Sequence, residues 1–381
     1  MKPASLLISI SKAARSFIFS MMAIITPYYL QSMHISALYV GIIIFISLVS
    51  GSVFILLYSR VPFSAKNRVL LLSVLMVAAL TVLVFVRNVV IFVVAVFIGG
   101  ISLAGRDFSA YPPIEKFAIS SFETIQKDKN EAFSVYNFGS YGSAAIASAF
   151  LYLDLRYSFQ EIFEILLVLS ILQLILYIFV KLPDYKRESV NLRLPKNVKA
   201  HVNTLSYLFA IDAFGGGFVT VSMLTLWFKA VYHISLSEAG FIFIIVNVLT
   251  ALSILVSSKI SGKIGLIKTM VFTHIVSNFF LILMPLVPNL YAAELFLYLR
   301  QTTSQMDVPA RDSFTNTIIP PGDRIKTNSV FTTVRTLGHG PGPAIGGYLI
   351  EAGPPSLLFV AGGVKILYDL LLYYKYHWFK D

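Results

Sequence analysis

The chain repeats itself across its middle, and this constrains the fold more than any single residue does. His34-Ile35-Ser36 followed by Gly41 recurs as His233-Ile234-Ser235 followed by Gly240. In both copies an apolar stretch precedes the His-Ile-Ser and another begins at the glycine. Further on, Pro113 to Gly142 aligns with Pro309 to Gly338 without a gap. The sequence therefore predicts two like halves fused in one polypeptide.

The nature of those halves follows from how little charge they carry. Only 13% of residues are charged and 57% are hydrophobic, whereas soluble domains carry roughly 25% charged residues. A spanning helix needs about 20 mostly apolar residues. Such stretches lie at 6–30, 37–58, 68–87, 89–111, 131–153, 159–181, 204–229, 237–258, 266–287, 290–311, 328–351 and 355–378, numbered here as spans 1 to 12. The expected fold is an all-α membrane protein: a bundle of six helices over 1–181, a cytoplasmic linker over 182–203 and a second six-helix bundle over 204–381. Fused bundles of this kind place a ligand site between the halves near the bilayer midplane. With no cysteine in the chain, disulfides, thiolate metal sites and thiol nucleophiles are excluded. Lys12 and Arg15 interrupt the first apolar stretch, which argues against a cleaved signal peptide.

The net charge of +11 does not imply nucleic-acid binding, because its distribution is that of a topology signal. With the N-terminus inside, the inner loops hold Arg60, Lys66, Arg68, Lys116, Lys127, Lys129, Lys186, Arg187, Lys259, Lys263, Arg324 and Lys326, among others, against Arg87, Arg156 and Lys229 outside. Both termini are therefore expected in the cytoplasm. The basic segment 182–203, with Pro183 and Pro195, reads as the joint between halves and as a surface for anionic lipids.

Six spans, a central linker, six spans and an internal repeat together resemble the major facilitator superfamily. The loop after span 2, Ser59 to Arg68, is basic like the family's G-x-x-x-D-R-x-G-R-R loop but lacks its Asp and Gly. The loop after span 8 keeps Lys263, Gly265 and Lys268 and has Gly262 where the Asp would stand. Span 11 carries Gly338, Gly342-Pro343 and Gly346-Gly347, similar to a pattern of family exporters that lies in span 5 there. In span 11 it reads first as close packing and bending. The resemblance implies alternating access, with spans 1, 4, 7 and 10 lining the central path.

Charge inside the membrane is the best pointer to function, since each ionised group costs about 2.5–3.5 kcal/mol on insertion scales. Lys12 and Arg15 lie in span 1, Arg106 and Asp107 in span 4, Asp212 in span 7, and Glu294, Arg300 and Asp307 in span 10, with Arg311 at its end. His274, Arg335, His339, Lys365 and Asp369 lie in spans 9, 11 and 12. Arg15, Arg106 and Arg300 are candidate contacts for an anionic solute, with Tyr28 and Trp227 as candidate stacking groups. Glu294 and Asp212 are candidate proton carriers. Lys12, Asp107, Asp307 and Arg311 are candidates for a gate of ion pairs. Arg300 and Asp307, seven apart, are expected on one helix face, and Asp307 and Arg311, four apart, can pair. Gly215-Gly216-Gly217 after Asp212 permits either a helix break or tight packing. His34 and His233 are expected to cap helix C-termini.

The sequence thus predicts a secondary transporter of a small solute, an organic or inorganic anion, driven by protons. It is expected to need no cofactor, to bind no nucleic acid and to work as a monomer among the lipids of the cell membrane. Export of amphipathic drugs in exchange for protons is the alternative within transport. A transporter-like receptor and an intramembrane lipid enzyme are the alternatives outside it. No P-loop and no His-Glu-x-x-His is present to support ATP-driven transport or metal-dependent lipid chemistry.

Overall fold

The computed structural model describes residues 1–60, 63–123, 125–153, 156–183, 196–320 and 323–379. The side chains at 56, 58–60, 126, 127, 129, 130, 196, 197, 258, 324–326 and 329 lie outside that description. Most of the expected linker therefore lies outside it, as do the side chains of Arg60, Lys127, Lys129, Lys186, Arg187, Arg324 and Lys326. The described residues contain helices and no strand.

In the first half the helices are α1 (Pro3–Gln31), α2 (Ala37–Arg60), α3 (Ala65–Phe85), α4 (Val89–Ile98), α5 (Tyr111–Phe122), α6 (Gln126–Tyr152) and α7 (Phe159–Phe179). The second half holds α8 (Lys196–Gly217), α9 (Val221–Tyr232), α10 (Leu236–Ile264), α11 (Leu266–Leu283), α12 (Leu290–Thr303), α13 (Asp307–Ile318), α14 (Arg324–His339), α15 (Pro341–Ala352) and α16 (Pro355–Tyr376). Eight stretches of described helix are long and apolar enough to cross a membrane. The spans that miss that measure are 4, 5, 10 and 11. They form two repeat-related pairs, 4 with 10 and 5 with 11, that lie in and around the ungapped block, so the departure from plain apolar helix is itself duplicated.

Span 4 departs furthest from expectation. It was expected as one helix over 89–111, but α4 ends at Ile98 and residues 99–110 are irregular. The cause is local. Gly100 takes a left-handed conformation, φ 61°. The Gly100 N–H donates to Phe97 O at 3.2 Å and the Ile101 N–H to Val96 O at 3.1 Å, which is the Schellman stop that glycine permits. Irregular backbone at membrane depth must find its hydrogen bonds inside the protein, and here it does. Leu103 N–H donates to Ser47 Oγ at 3.2 Å, Val221 N–H to Ala104 O at 3.2 Å, and Ser222 Oγ to Leu103 O.

The repeated His-Ile-Ser has a backbone meaning. His34 and His233 are both left-handed, φ 60° and 54°. His34 N–H donates to Gln31 O and Ile35 N–H to Leu30 O, closing α1; His233 N–H donates to Lys229 O, closing α9. Histidine adopts this region more readily than most residues. The serine then opens the next helix: in the second copy Glu238 N–H donates to Ser235 Oγ at 3.2 Å while Ser235 N–H donates to Glu238 Oε2 at 2.7 Å, a capping box.

Contacts divide the chain into two units. One comprises Met1–Lys186, Val221–Lys229 and His233–Ile244; the other comprises Arg187–Thr220, Ala230–Tyr232 and Ile245–Asp381. Within the first, α1 lies on α6 and α7, and α3 lies on α7; Lys66 donates to Val180 O at 2.6 Å and Ile178 O at 2.8 Å at the C-terminal end of α7. Within the second, α8 lies on α14 and α16, and α11 lies on α16, α12 and α13. Span 1 against 5 and span 3 against 6 thus recur as span 7 against 11 and span 9 against 12. Span 1 is the most enclosed of the candidate spans, with 78% of its apolar window buried, against 33% in α7. Large exposed side chains such as Phe179, Val168 and Tyr374 suit a lipid-facing surface.

Candidate functional site

Each unit holds a buried knot of charge. In the first, Arg15 of α1 is fully buried. Its Nε donates to Asp107 Oδ2 at 2.8 Å, its Nη2 to Glu115 Oε2 at 2.6 Å and its Nη1 to Tyr177 OH at 3.1 Å. The guanidinium lies over the Tyr111 ring, 4.2 Å from its centroid. Lys12, one helical turn before Arg15, donates to Asp107 Oδ2 at 2.6 Å. Glu115 is fully buried at the start of α5 and also accepts from Tyr136 OH at 2.7 Å and from Tyr177 OH. Ser109 N–H donates to Asp107 Oδ1 at 3.1 Å. The irregular segment after α4 is what brings Asp107 back to α1. Arg106, its neighbour in sequence, is exposed.

In the second unit Asp212 of α8 is the centre. Lys365 Nζ of α16 donates to Asp212 Oδ1 at 2.7 Å. Arg311 of α13 lies 3.8 Å from Asp212 Oδ2, and Arg335 of α14 lies 4.0 Å from it. Arg311 also binds Asp307 Oδ2 at 2.6 Å, the expected pair four residues apart. His274 of α11 binds Asp369 Oδ1 of α16 through Nδ1 at 2.8 Å. Nearly all these side chains are buried; Arg335 alone among the cations of the group keeps 29% of its side chain accessible.

Glycine makes this density possible. α8 ends at Gly217, so the triple glycine both stops the helix and packs it. A Cβ on Gly217 would come within 2.9 Å of Gly342 Cα, and one on Gly342 within 2.6 Å of Gly217 Cα. The glycine-proline pattern of span 11 is therefore the partner of the triple glycine of span 7. The helix of span 11 breaks there, at Gly340 between α14 and α15.

The remaining sequence candidates are placed as follows. Arg300 is buried, and its Nη1 donates to Gln301 Oε1 at 2.8 Å. The shared face expected for Arg300 and Asp307 does not arise, because a turn over 304–306 separates α12 from α13. Glu294 accepts from Tyr298 OH at 3.4 Å. Tyr28 OH lies 2.9 Å from both Ile234 O and Ser235 O, and Lys229 Nζ sits 4.4 Å above its ring. Trp227 is fully buried, edge-on to Phe228 at 5.0 Å. Lys12 pairs with Asp107 and Asp307 with Arg311, each within one unit. Sequence reasoning gave Glu115 no place in the site and missed its tyrosines. It noted His274, Lys365 and Asp369 as charges without giving them a place in the site. Their presence deep within spans whose other charges, Lys268 and Lys375, lie near the ends was the available signal.

Comparison with known proteins agrees with this architecture. The chain is 29% identical over 182 residues to an uncharacterized membrane protein of Saccharomyces cerevisiae, covering 47% of this chain and 41% of that one. It is 26% identical over 137 residues to an uncharacterized MFS-type transporter of Bacillus subtilis, covering 36% and 35%. The match thus spans about two fifths of these relatives' length. Among solved structures, the fold is similar to the human organic anion transporter MFSD10 (TM-score 0.72, 13% identity, 98% of this chain and 100% of that one). It is also similar to the POT family transporter PepTSo (0.79, 13%, 100% and 99%) and to a D-xylose-proton symporter (0.71, 12%, 97% and 96%). The family model of the Major Facilitator Superfamily matches residues 8–299. With that match over most of its length, and with the duplicated helical plan behind it, the chain belongs to the major facilitator superfamily.

Proposed function

We propose that this transporter carries a small organic anion together with protons, by alternating access, in a cell membrane with both termini cytoplasmic. The observation that carries the reading is the knot around Asp212. A buried carboxylate there meets Lys365, Arg311 and Arg335, and Arg335 is part accessible. Groups so expensive to place in a membrane are retained where solute or ions pass. The exposed Arg106 and the buried Arg300 supply further positive charge for an anion. Arg15, enclosed by two carboxylates, serves to hold the irregular segment that carries Arg106. Lys12–Asp107 and Asp307–Arg311 act as latches whose exchange accompanies the change of state. Asp212 and Glu294 are the proton-linked carboxylates. The similar folds of an organic anion transporter and of a proton symporter are consistent with both solute class and coupling.

The test is uptake of labelled organic anions into proteoliposomes with and without an inward pH gradient. Wild type is expected to accumulate an anion only with the gradient. Arg300→Ala is expected to abolish uptake while expression is maintained. Asp212→Asn or Glu294→Gln is expected to lose gradient-driven accumulation yet retain exchange. Wild-type accumulation by both carboxylate variants would refute the proton assignment.

A further inference from the structure

Spans 9 and 12 are not among the spans expected to line the path, yet they carry a complete set of buried titratable groups. His274 of α11 uses its two ring nitrogens differently. Nδ1 is 2.8 Å from Asp369 Oδ1, while Nε2 is 3.3 Å from Lys365 Nζ and 3.8 Å from Asp212 Oδ1. Asn278 Nδ2 lies 3.3 Å from the same Nδ1 and donates to Asp369 Oδ2 at 3.2 Å, which steadies that carboxylate and leaves Nδ1–H to Asp369. A carboxylate accepts and an ammonium only donates. The arrangement is therefore satisfied by one form of the ring, with the proton on Nδ1 and a lone pair on Nε2. Lys365 then donates to both Nε2 and Asp212.

The surroundings are charge-balanced. From α16 come Lys365, Asp369 and the Tyr368 ring, centred 5.9 Å from His274. α8 supplies Asp212, α13 supplies Asp307 and Arg311, and α14 supplies Arg335 and His339 around it. Among the buried groups Asp212, Asp307 and Asp369 thus face Lys365, Arg311 and Arg335; Asp312, which also acts on Arg311, is exposed to solvent and lies outside this balance.

We propose that His274 receives the transported proton and thereby changes which cation Asp212 holds, freeing Lys365 to bind a monovalent organic anion. Hydronium gives a proton to the Nε2 lone pair: one O–H bond breaks, one N–H bond forms, and a neutral water is left behind. The new N–H and the Lys365 ammonium are then two donors of like charge 3.3 Å apart, and they cannot keep their contact. The imidazolium turns to Asp212 Oδ1, 3.8 Å away. Lys365 leaves, still charged. The balanced group now carries one positive charge in excess, which one monovalent anion neutralises. Arg335, part accessible and 4.0 Å from Asp212, connects the group to solvent. Proton and anion therefore bind as a pair, and Asp212 is coupled through its partner rather than by holding the proton itself. This rests on the reading that the solute is an anion moved with protons.

The first test needs no solute. Full-length protein with 15N-labelled histidine in lipid nanodiscs is followed by NMR from pH 8 to pH 5, with the His274 signal identified by its loss in His274→Gln. The expected result is a single Nδ1–H tautomer at pH 8 that becomes imidazolium on acidification. Asp369→Leu, which removes the Nδ1 acceptor, is expected to lose the single tautomer. An Nε2–H tautomer at pH 8, or a neutral ring throughout, overturns the proposal. The second test uses labelled benzenesulfonate, whose charge does not change over this range, in proteoliposomes containing a pH dye. About one proton is expected to enter per sulfonate in wild type, falling at least tenfold in His274→Gln. A wild-type ratio in that variant also overturns the proposal. If wild type moves no sulfonate while the ring titrates as expected, the anion reading fails and the proton site stands.

Discussion

Removing Glu115 should expose how much the knot of the first unit depends on charge balance. Glu115 accepts from Arg15 Nη2 at 2.6 Å, from Tyr136 OH at 2.7 Å and from Tyr177 OH, with no exposure to solvent. In Glu115→Ala, Asp107 would have to serve both Arg15 and Lys12, at 2.8 and 2.6 Å. Breaking one side of a buried ion pair costs about 3–5 kcal/mol, and the two tyrosine hydroxyls lose their acceptor as well. The expected loss is therefore at the upper end, about 4–5 kcal/mol. Glu115→Gln keeps an acceptor oxygen and loses the charge, and charged hydrogen bonds are roughly twice as strong as neutral ones. About half the loss is expected. Replacing both partners tells more: Arg15→Met with Glu115→Leu leaves Lys12–Asp107 intact and strands no charge. Apolar replacement of a buried pair is often neutral, so the double variant should lie within about 2 kcal/mol of wild type. The assay is reversible unfolding in mixed detergent micelles, followed by tryptophan fluorescence. A double variant as unstable as the sum of its singles, or a Glu115→Ala loss under about 1 kcal/mol, would refute the argument.

Two further outcomes follow from backbone geometry. His34→Gly and His233→Gly relieve left-handed strain of about 1–2 kcal/mol, partly offset by the unfolded-state entropy of glycine; each should stabilise by about 0.5–1 kcal/mol in the same unfolding assay, and destabilisation by both would count against the capping role. Gly240→Ala would set a Cβ 2.6 Å from Tyr152 N and 2.7 Å from Ser148 O, both backbone atoms; a loss of about 1–3 kcal/mol is expected, with Gly142→Ala, which meets nothing within 4 Å, as the harmless control.

Much of this was legible in the sequence, for reasons that can be stated. The spans are legible because apolar length is read directly, and the repeat because the His-Ile-Ser caps and the ungapped block survive as letters. Asp307–Arg311 is legible because its partners share one helix and four residues separate them. Asp212–Lys365 is not, since 153 residues separate the pair and only the packing of α8 on α16 joins them. Span 4 is an intermediate case. Gly99-Gly100 is a helix-stop signal within an apolar stretch long enough to span, and apolar length alone does not reveal the stop. Glu115 is hidden for the same reason: it lies in α5, a new helix begun at Tyr111 after the stop, and is fully buried.

The two units also show why a repeat at the level of letters need not be a repeat of chemistry. Glu115 and Arg311 occupy equivalent positions in the ungapped block. In the first unit the acid of α5 faces a cation of α1, Arg15, at 2.6 Å. In the second the cation of α13 faces an acid of α8, Asp212, at 3.8 Å. The scaffold is kept and the signs are exchanged, so each unit balances its own charge. The balance differs in kind, however. Arg15 is closed in by two carboxylates and three tyrosines, with no accessible surface, which suits a fixed structural knot. Asp212 is shared among cations on three helices at distances from 2.7 to 4.0 Å, with a histidine beside it and an arginine reaching solvent. A group that can change partners without leaving any charge unmatched is the one able to respond to a proton or an anion, which is why the proposal puts the responsive chemistry in the second unit and the rigid frame in the first.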